Sequence, residues 1–204
     1  MKIGLYFGSF NPIHNGHLII ANHFINETDL DQVWFVVSPQ NPFKQNHVLL
    51  NEQHRLSLIK AAIDDDAKLK ASNIEFGLPK PSYTVNTLVY LAEKFPQHQF
   101  VIIMGSDGYQ NIGKWKNADF ILANFYIYIY QRPGFDINQT QDEKILITKA
   151  PLINISSSYI RDLIKQDKNI RFLVPDSVEN IINKELYYKS NLENPSKKDT
   201  GKNN

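Results

Sequence analysis

Residues 3–25 read IGLYFGSFNPIHNGHLIIANHFI, and the order of features in this stretch decides the fold. IGLYF, residues 3–7, is a short apolar run closed by Gly8, with the length and flank of a buried strand. Leu18, Ile19, Ala21, Phe24 and Ile25 then fall close to helical spacing, so a helix over 17–28 follows the strand after one loop. Pro12 fixes the turn of that loop, and Gly8 leaves the strand without a side chain.

The alternation continues outward. VWFVVS at 33–38 is a second buried strand stopped by Pro39, and Asn51 caps a helix carrying Leu56, Ile59, Ala62 and Ile63 on one face. KLKASNIEF at 68–76 is weak strand material, and VNTLVYLAEKF at 85–95 is helical. FVIIMG at 100–105, FYIYIY at 125–130 and ILIT at 145–148 are further strands, with a helix in pieces over 107–123. Ser156–Ile164 starts as a serine-capped helix, and 175–187 is a last helix with Asp176 as its cap. Buried strands alternating with helices predict an α/β protein: a Rossmann-like, doubly wound parallel sheet with helices on both faces. Ligands of such sheets sit at the carboxyl ends of strands, near the switch in strand order. The loops after IGLYF, VWFVVS and FYIYIY are therefore the places to look for chemistry.

Composition narrows the classes. The chain has 204 residues, with 22 Lys plus Arg against 21 Asp plus Glu, a net charge of +1. No surplus of positive charge is available for nucleic acid or an anionic membrane, so an anionic substrate must be held by local donors. Cysteine is absent, which removes disulfides, thiolate zinc sites and cysteine nucleophiles. No stretch reaches the roughly 18 apolar residues of a membrane span, and the N-terminus lacks a signal-peptide pattern. The expectation is a soluble cytoplasmic chain, with one domain over 1–188 and a disordered polar tail over 189–204.

Within GSFNPIHNGH, residues 8–17, His14 and His17 stand three apart at the start of a helix. A helix N-terminus attracts anions, and two imidazoles add donors that suit a phosphate. The competing reading is a pair of exposed loop histidines. A zinc site is disfavoured, because no nearby carboxylate or thiol completes a ligand set.

GSFNPIHNGH resembles the G-x-F-x-P-x-H-x-G-H signature of the H-x-G-H nucleotidyltransferase superfamily. ISSSYIR, residues 155–161, is similar to its I-S-S-T-x-I-R element. Four further segments resemble bacterial nicotinate mononucleotide adenylyltransferases: SPQNPFK at 38–44, PSYTVNTL at 81–88, GSDGYQNIGKW at 105–115 and QRPGF at 131–135. The chain departs from the pattern mildly at Ser9, at Ser158, and at Asn86, where Asp is usual.

The resemblance implies adenylyl transfer from ATP to nicotinate mononucleotide, giving deamido-NAD and pyrophosphate in NAD biosynthesis. The alternative is transfer to nicotinamide mononucleotide, or dual specificity. It also implies site residues. His17, His14, Lys44 and Arg161 would be catalytic. ATP would meet Gly8, Ser9, Phe10, His14 and His17 in the first loop, and Gly105 and Asp107 after FVIIMG. Ile155, Ser156, Ser157 and Arg161 would complete its site. Nicotinate mononucleotide would meet Ser9, Lys44, Tyr83 and Thr84, with Trp115, Lys116 and Arg132. Mg²⁺ is implied as the counterion of ATP, bound mainly through phosphates rather than by a protein cage. A homo-oligomer is compatible with the sequence. Tyr109, Tyr126, Tyr128 and Tyr130 are expected as core or edge aromatics, and His23, His47, His54 and His98 as surface residues without partners.

Overall fold

A computed structural model describes residues 1–40, 49–64, 66–138, 141–151 and 153–189. Lys44, His47 and the tail from residue 190 lie outside the described residues. Among the described residues six parallel strands form one sheet: β1 (Lys2–Gly8), β2 (Gln32–Val37), β3 (Leu69–Ser72), β4 (Gln99–Gly105), β5 (Tyr126–Tyr130) and β6 (Ile145–Thr148). Their order is β3-β2-β1-β4-β5-β6. The chain winds outward from β1 in one direction and from β4 in the other, so the switch point lies between β1 and β4.

Side chains alternate across the strands and feed two cores. Tyr6, Phe35, Val101, Ile103 and Tyr128 face one layer, closed by α1 (Asn15–Glu27), α2 (Glu52–Ile63), α6 (Ser157–Lys165) and α7 (Asp176–Glu185). Leu5, Val36, Ile102, Met104 and Ile129 face the other, closed by α3 (Thr84–Lys94) and α5 (Ala118–Asn124). The short α4 (Ser106–Tyr109) lies directly after β4. Helices therefore cover both faces, as the run of apolar strands predicts.

Some boundaries differ from the sequence reading. The first helix starts at Asn15 with His14 as its N-cap, earlier than the apolar periodicity begins. An amphipathic pattern marks only the buried face, and this first turn carries His14, Asn15 and Gly16 instead. The segment 68–76 is strand only to Ser72, followed by a 3-10 turn over Ile74–Gly77. Asp176 is the first residue of α7, and Pro175 holds the cap position. Asn51 caps α2 as expected, its Oδ1 accepting from the Gln53 amide at 2.8 Å.

Candidate active site

The carboxyl ends of β1, β4 and β5 open onto one cavity of about 820 Å³, the size of a small-ligand site. Close backbone approach shapes its floor. A Cβ on Gly8 would come within 2.8 Å of the Phe10 ring, and one on Gly105 would run into Asp107 and the Arg132 stem. Phe10 is buried with φ 45°, a left-handed conformation uncommon for a bulky residue. Its ring packs edge-on against His17 at 5.1 Å, while His17 stacks on His14 with centroids 3.7 Å apart.

The two histidines are not equivalent. His14 is 5% exposed, and burial lowers its pKa to about 4, so it is a neutral ring rather than an exposed loop cation. The His14 amide donates to His17 Nδ1 at 3.3 Å. An accepting Nδ1 leaves the ring proton of His17 on Nε2.

The distant ISSSYIR segment arrives at the same loop. Ser156 caps α6, accepting from the Tyr159 amide at 3.2 Å. The Ser157 hydroxyl donates to the Pro12 carbonyl, and Arg161 Nη1 donates to the Asn11 carbonyl, both at 2.8 Å. Arg161 Nη2 also donates to Ser158 Oγ at 3.1 Å. Ile155, Ser156, Ser157 and Arg161 all line the cavity.

The opposite wall holds Tyr83, Thr84, Trp115 and Lys116. Tyr83 is the N-cap of α3, and the Lys116 ammonium lies 4.6 Å from the centre of its ring. Trp115 is half-buried and packs against the second core. Asp107, also in the wall, lies in the first turn of α4, whose cap is Gly105. Arg132 donates to Asp107 Oδ2 at 2.9 Å, so two residues read for different substrates are ion-paired with each other. Both are partly exposed, and such a pair opens at little cost.

Three residues at the site, Arg55, Tyr6 and Tyr130, are not among the site residues expected from the sequence. Arg55 is fully buried; it donates to the carbonyls of Leu50 at 2.8 Å, Ser9 at 2.5 Å and Ser38 at 3.0 Å, tying the loops after β1 and β2. Tyr6 and Tyr130 line the cavity floor with hydroxyls 3.5 Å apart, so Tyr130 does more than fill the core. The only hint of Arg55 in the sequence is a charge beside the apolar face of α2. The expectation of partnerless surface histidines also fails for two of them: His23 bonds Thr148 Oγ1, and His54 Nδ1 is 2.7 Å from the Tyr187 hydroxyl. His98 is part of an aromatic group, stacked 6.0 Å from Phe95.

A family model described as cytidylyltransferase-like matches residues 5–163. The chain belongs to the cytidylyltransferase-like family. Among relatives in this family, a protein of Cytophaga hutchinsonii named "Probable nicotinate-nucleotide adenylyltransferase" is 52% identical over 189 residues, covering 92% of this chain and 98% of the relative. A protein of Flavobacterium psychrophilum with the same name is 52% identical over 192 residues, covering 93% of this chain and all of the relative. A solved structure of Plasmodium falciparum nicotinic acid mononucleotide adenylyltransferase complexed with NaAD superimposes with a TM-score of 0.77. It covers 92% of this chain and 97% of its own at 21% identity, a likeness of fold. Among the described residues of this family member, no helix is long and apolar enough to cross a membrane.

Proposed function

We propose that this chain transfers the adenylyl group of ATP to nicotinate mononucleotide, releasing pyrophosphate and deamido-NAD, a step of NAD biosynthesis. One observation carries the reading: segments 145 residues apart are hydrogen-bonded to each other at the rim of one cavity. That cavity offers imidazole, guanidinium, hydroxyl and amide donors, and the chain has no cysteine nucleophile. Such a wall suits direct transfer between phosphates, where positioning and charge stabilisation supply the rate.

In this mechanism a phosphate oxygen of the mononucleotide attacks the α-phosphorus of ATP in line. The bond from the α-phosphorus to the β-bridging oxygen breaks, and its electron pair leaves on pyrophosphate. His17 Nε2–H donates to the α-phosphate, and His14 and Lys44 serve the neighbouring phosphates. Ser156 and Arg161 receive the leaving pyrophosphate. Gly8, Ser9, Phe10 and Ile155 shape the ATP site, with Ser157 holding its two walls together. Gly105 brings the backbone close, and Asp107 serves the ribose.

At the other end Trp115 supplies a face for the pyridine ring. The first amides of α3 at Tyr83 and Thr84 favour its carboxylate, and Lys116 adds positive charge there. Arg132 exchanges Asp107 for the mononucleotide. A nicotinamide group would turn its own donors on those amides, which selects against it. Among the described residues no group of three or more His, Asp or Glu could hold a metal ion, so Mg²⁺ enters with ATP, its charge offsetting that of the phosphates.

The test is pyrophosphate release from ATP with nicotinate mononucleotide, nicotinamide mononucleotide or phosphopantetheine as acceptor. Release with the nicotinate compound well above the others is expected; none with it overturns the proposal.

A further inference from the structure

Glu75 is the only buried carboxylate among the described residues, 2% exposed, and it lines the cavity. It belongs to the 3-10 turn Ile74–Gly77 that leaves β3. Its Oε1 accepts from Thr87 Oγ1 at 2.8 Å, and Thr87 is itself buried in the first turns of α3. The hydroxyls of Ser38, at the end of β2, and Ser82, just before α3, lie beside the same carboxyl. Glu75 Oε2 and Ser82 Oγ are both buried and neither makes a hydrogen bond of ordinary geometry among the described residues. Burial pushes the carboxyl up, and the three hydroxyls act against that shift.

Burying a carboxyl costs free energy that an apolar residue of the same size would avoid. Packing alone therefore gives no reason for Glu75. The carboxyl bonds α3 through Thr87 and lies beside hydroxyls of two other segments, the end of β2 and the loop before α3. Those segments form the wall that carries Tyr83 and Thr84. The Ser82 amide adds a bond to the Gln40 carbonyl at 3.0 Å, tying the same loop to the segment after β2.

We infer that Glu75 is a positioning residue of the mononucleotide site: through its bond to Thr87 it fixes the first turn of α3, whose amides meet the pyridine carboxylate. This rests on the reading that nicotinate mononucleotide is the acceptor. The ATP phosphates are held elsewhere, by the loop after β1 and by α6, neither of which bonds Glu75. Loosening Glu75 therefore weakens one substrate and spares the other.

The experiment is steady-state kinetics of Glu75→Ala, Glu75→Gln, Thr87→Val and Thr87→Ser, each varied against both substrates, with thermal melting alongside. Glu75→Ala and Thr87→Val should raise KM for nicotinate mononucleotide about tenfold, the scale of one lost buried hydrogen bond, and leave KM for ATP within about twofold. Glu75→Gln, which keeps an acceptor for Thr87, should shift KM less. Thr87→Ser restores the hydroxyl and should return KM to near the wild-type value. If Glu75→Ala does not fold, Glu75→Gln and Thr87→Val carry the test. An unchanged mononucleotide KM, a parallel rise in both KM values, or a Thr87→Ser variant as weak as Thr87→Val overturns the inference. Wild-type protein that fails to use nicotinate mononucleotide overturns the functional reading and the inference with it; normal wild-type turnover beside unaltered variants overturns the inference alone.

Discussion

The hydroxyl of Ser157 donates to the carbonyl of Pro12 at 2.8 Å across 145 residues of chain. With the Arg161 bond to the Asn11 carbonyl, it locks the N-terminus of α6 against the loop that carries the histidine pair. The groups proposed to bind the phosphates are thus referenced to one backbone turn. Small errors in that reference move the donors relative to the reacting phosphorus, where placement matters most.

Arg161→Lys keeps the charge but loses the planar fork that spans the Asn11 carbonyl and Ser158 Oγ. We expect kcat to fall by about 10- to 100-fold with secondary structure intact, less than the roughly 10²- to 10³-fold cost of removing a preorganised donor outright, because the charge is kept. Single-turnover kinetics with circular dichroism check this; wild-type kcat in the lysine variant removes the fork from the mechanism.

His17→Ala should lower kcat by roughly 10²-fold or more, because it removes the proposed donor to the α-phosphate. The aromatic group of Phe10, Tyr6 and Phe35 remains to hold the loop, so melting temperature should change little. Near-normal turnover in this variant would assign the α-phosphate contact to another residue.

His14 gives the folding equilibrium a pH dependence of known sign. Its folded pKa, about 4, lies below the value of 6.5 of a free imidazole. Between these values the unfolded chain binds a proton that the folded chain refuses. Stability from this group is present above pH 6.5 and is lost as pH falls toward 4, up to about 3 kcal/mol. Urea denaturation at several pH values in that window should show a shallower loss for His14→Phe than for wild type. Parallel curves for the two proteins contradict the burial account.

Trp115→Ala should raise KM for nicotinate mononucleotide while leaving most of the preference for acid over amide. Stacking does not read the carboxylate; in the proposed site the α3 amides do. The wild-type preference itself should be on the order of 10² to 10⁴ in kcat/KM, from two wrongly paired buried contacts. An unchanged KM makes Trp115 a packing residue, and equal use of the amide overturns the amide-based account of specificity.

How much of this was legible in the sequence follows from the range of each interaction. The strands of the sheet, the helices between them and the two signature segments are written in short-range patterns: apolar runs, helical spacing, glycine and proline at turns, a serine or asparagine at a cap. Each works over a few residues, so the doubly wound α/β class, the His14–His17 pair at a helix start and the helix that begins near residue 85 could be read directly. Strand order, by contrast, depends on which apolar faces bury each other. The desolvated neutral state of His14, the fully buried Arg55 tying Ser9 to Ser38, the Asp107–Arg132 ion pair and the Glu75 hub exist only once residues 12 to 46 positions apart, or more, are brought together. A polar residue in a sequence does not announce whether water or protein will satisfy it. Tertiary packing settles that by removing the water, and at these positions it decides which polar residues form the frame of the site.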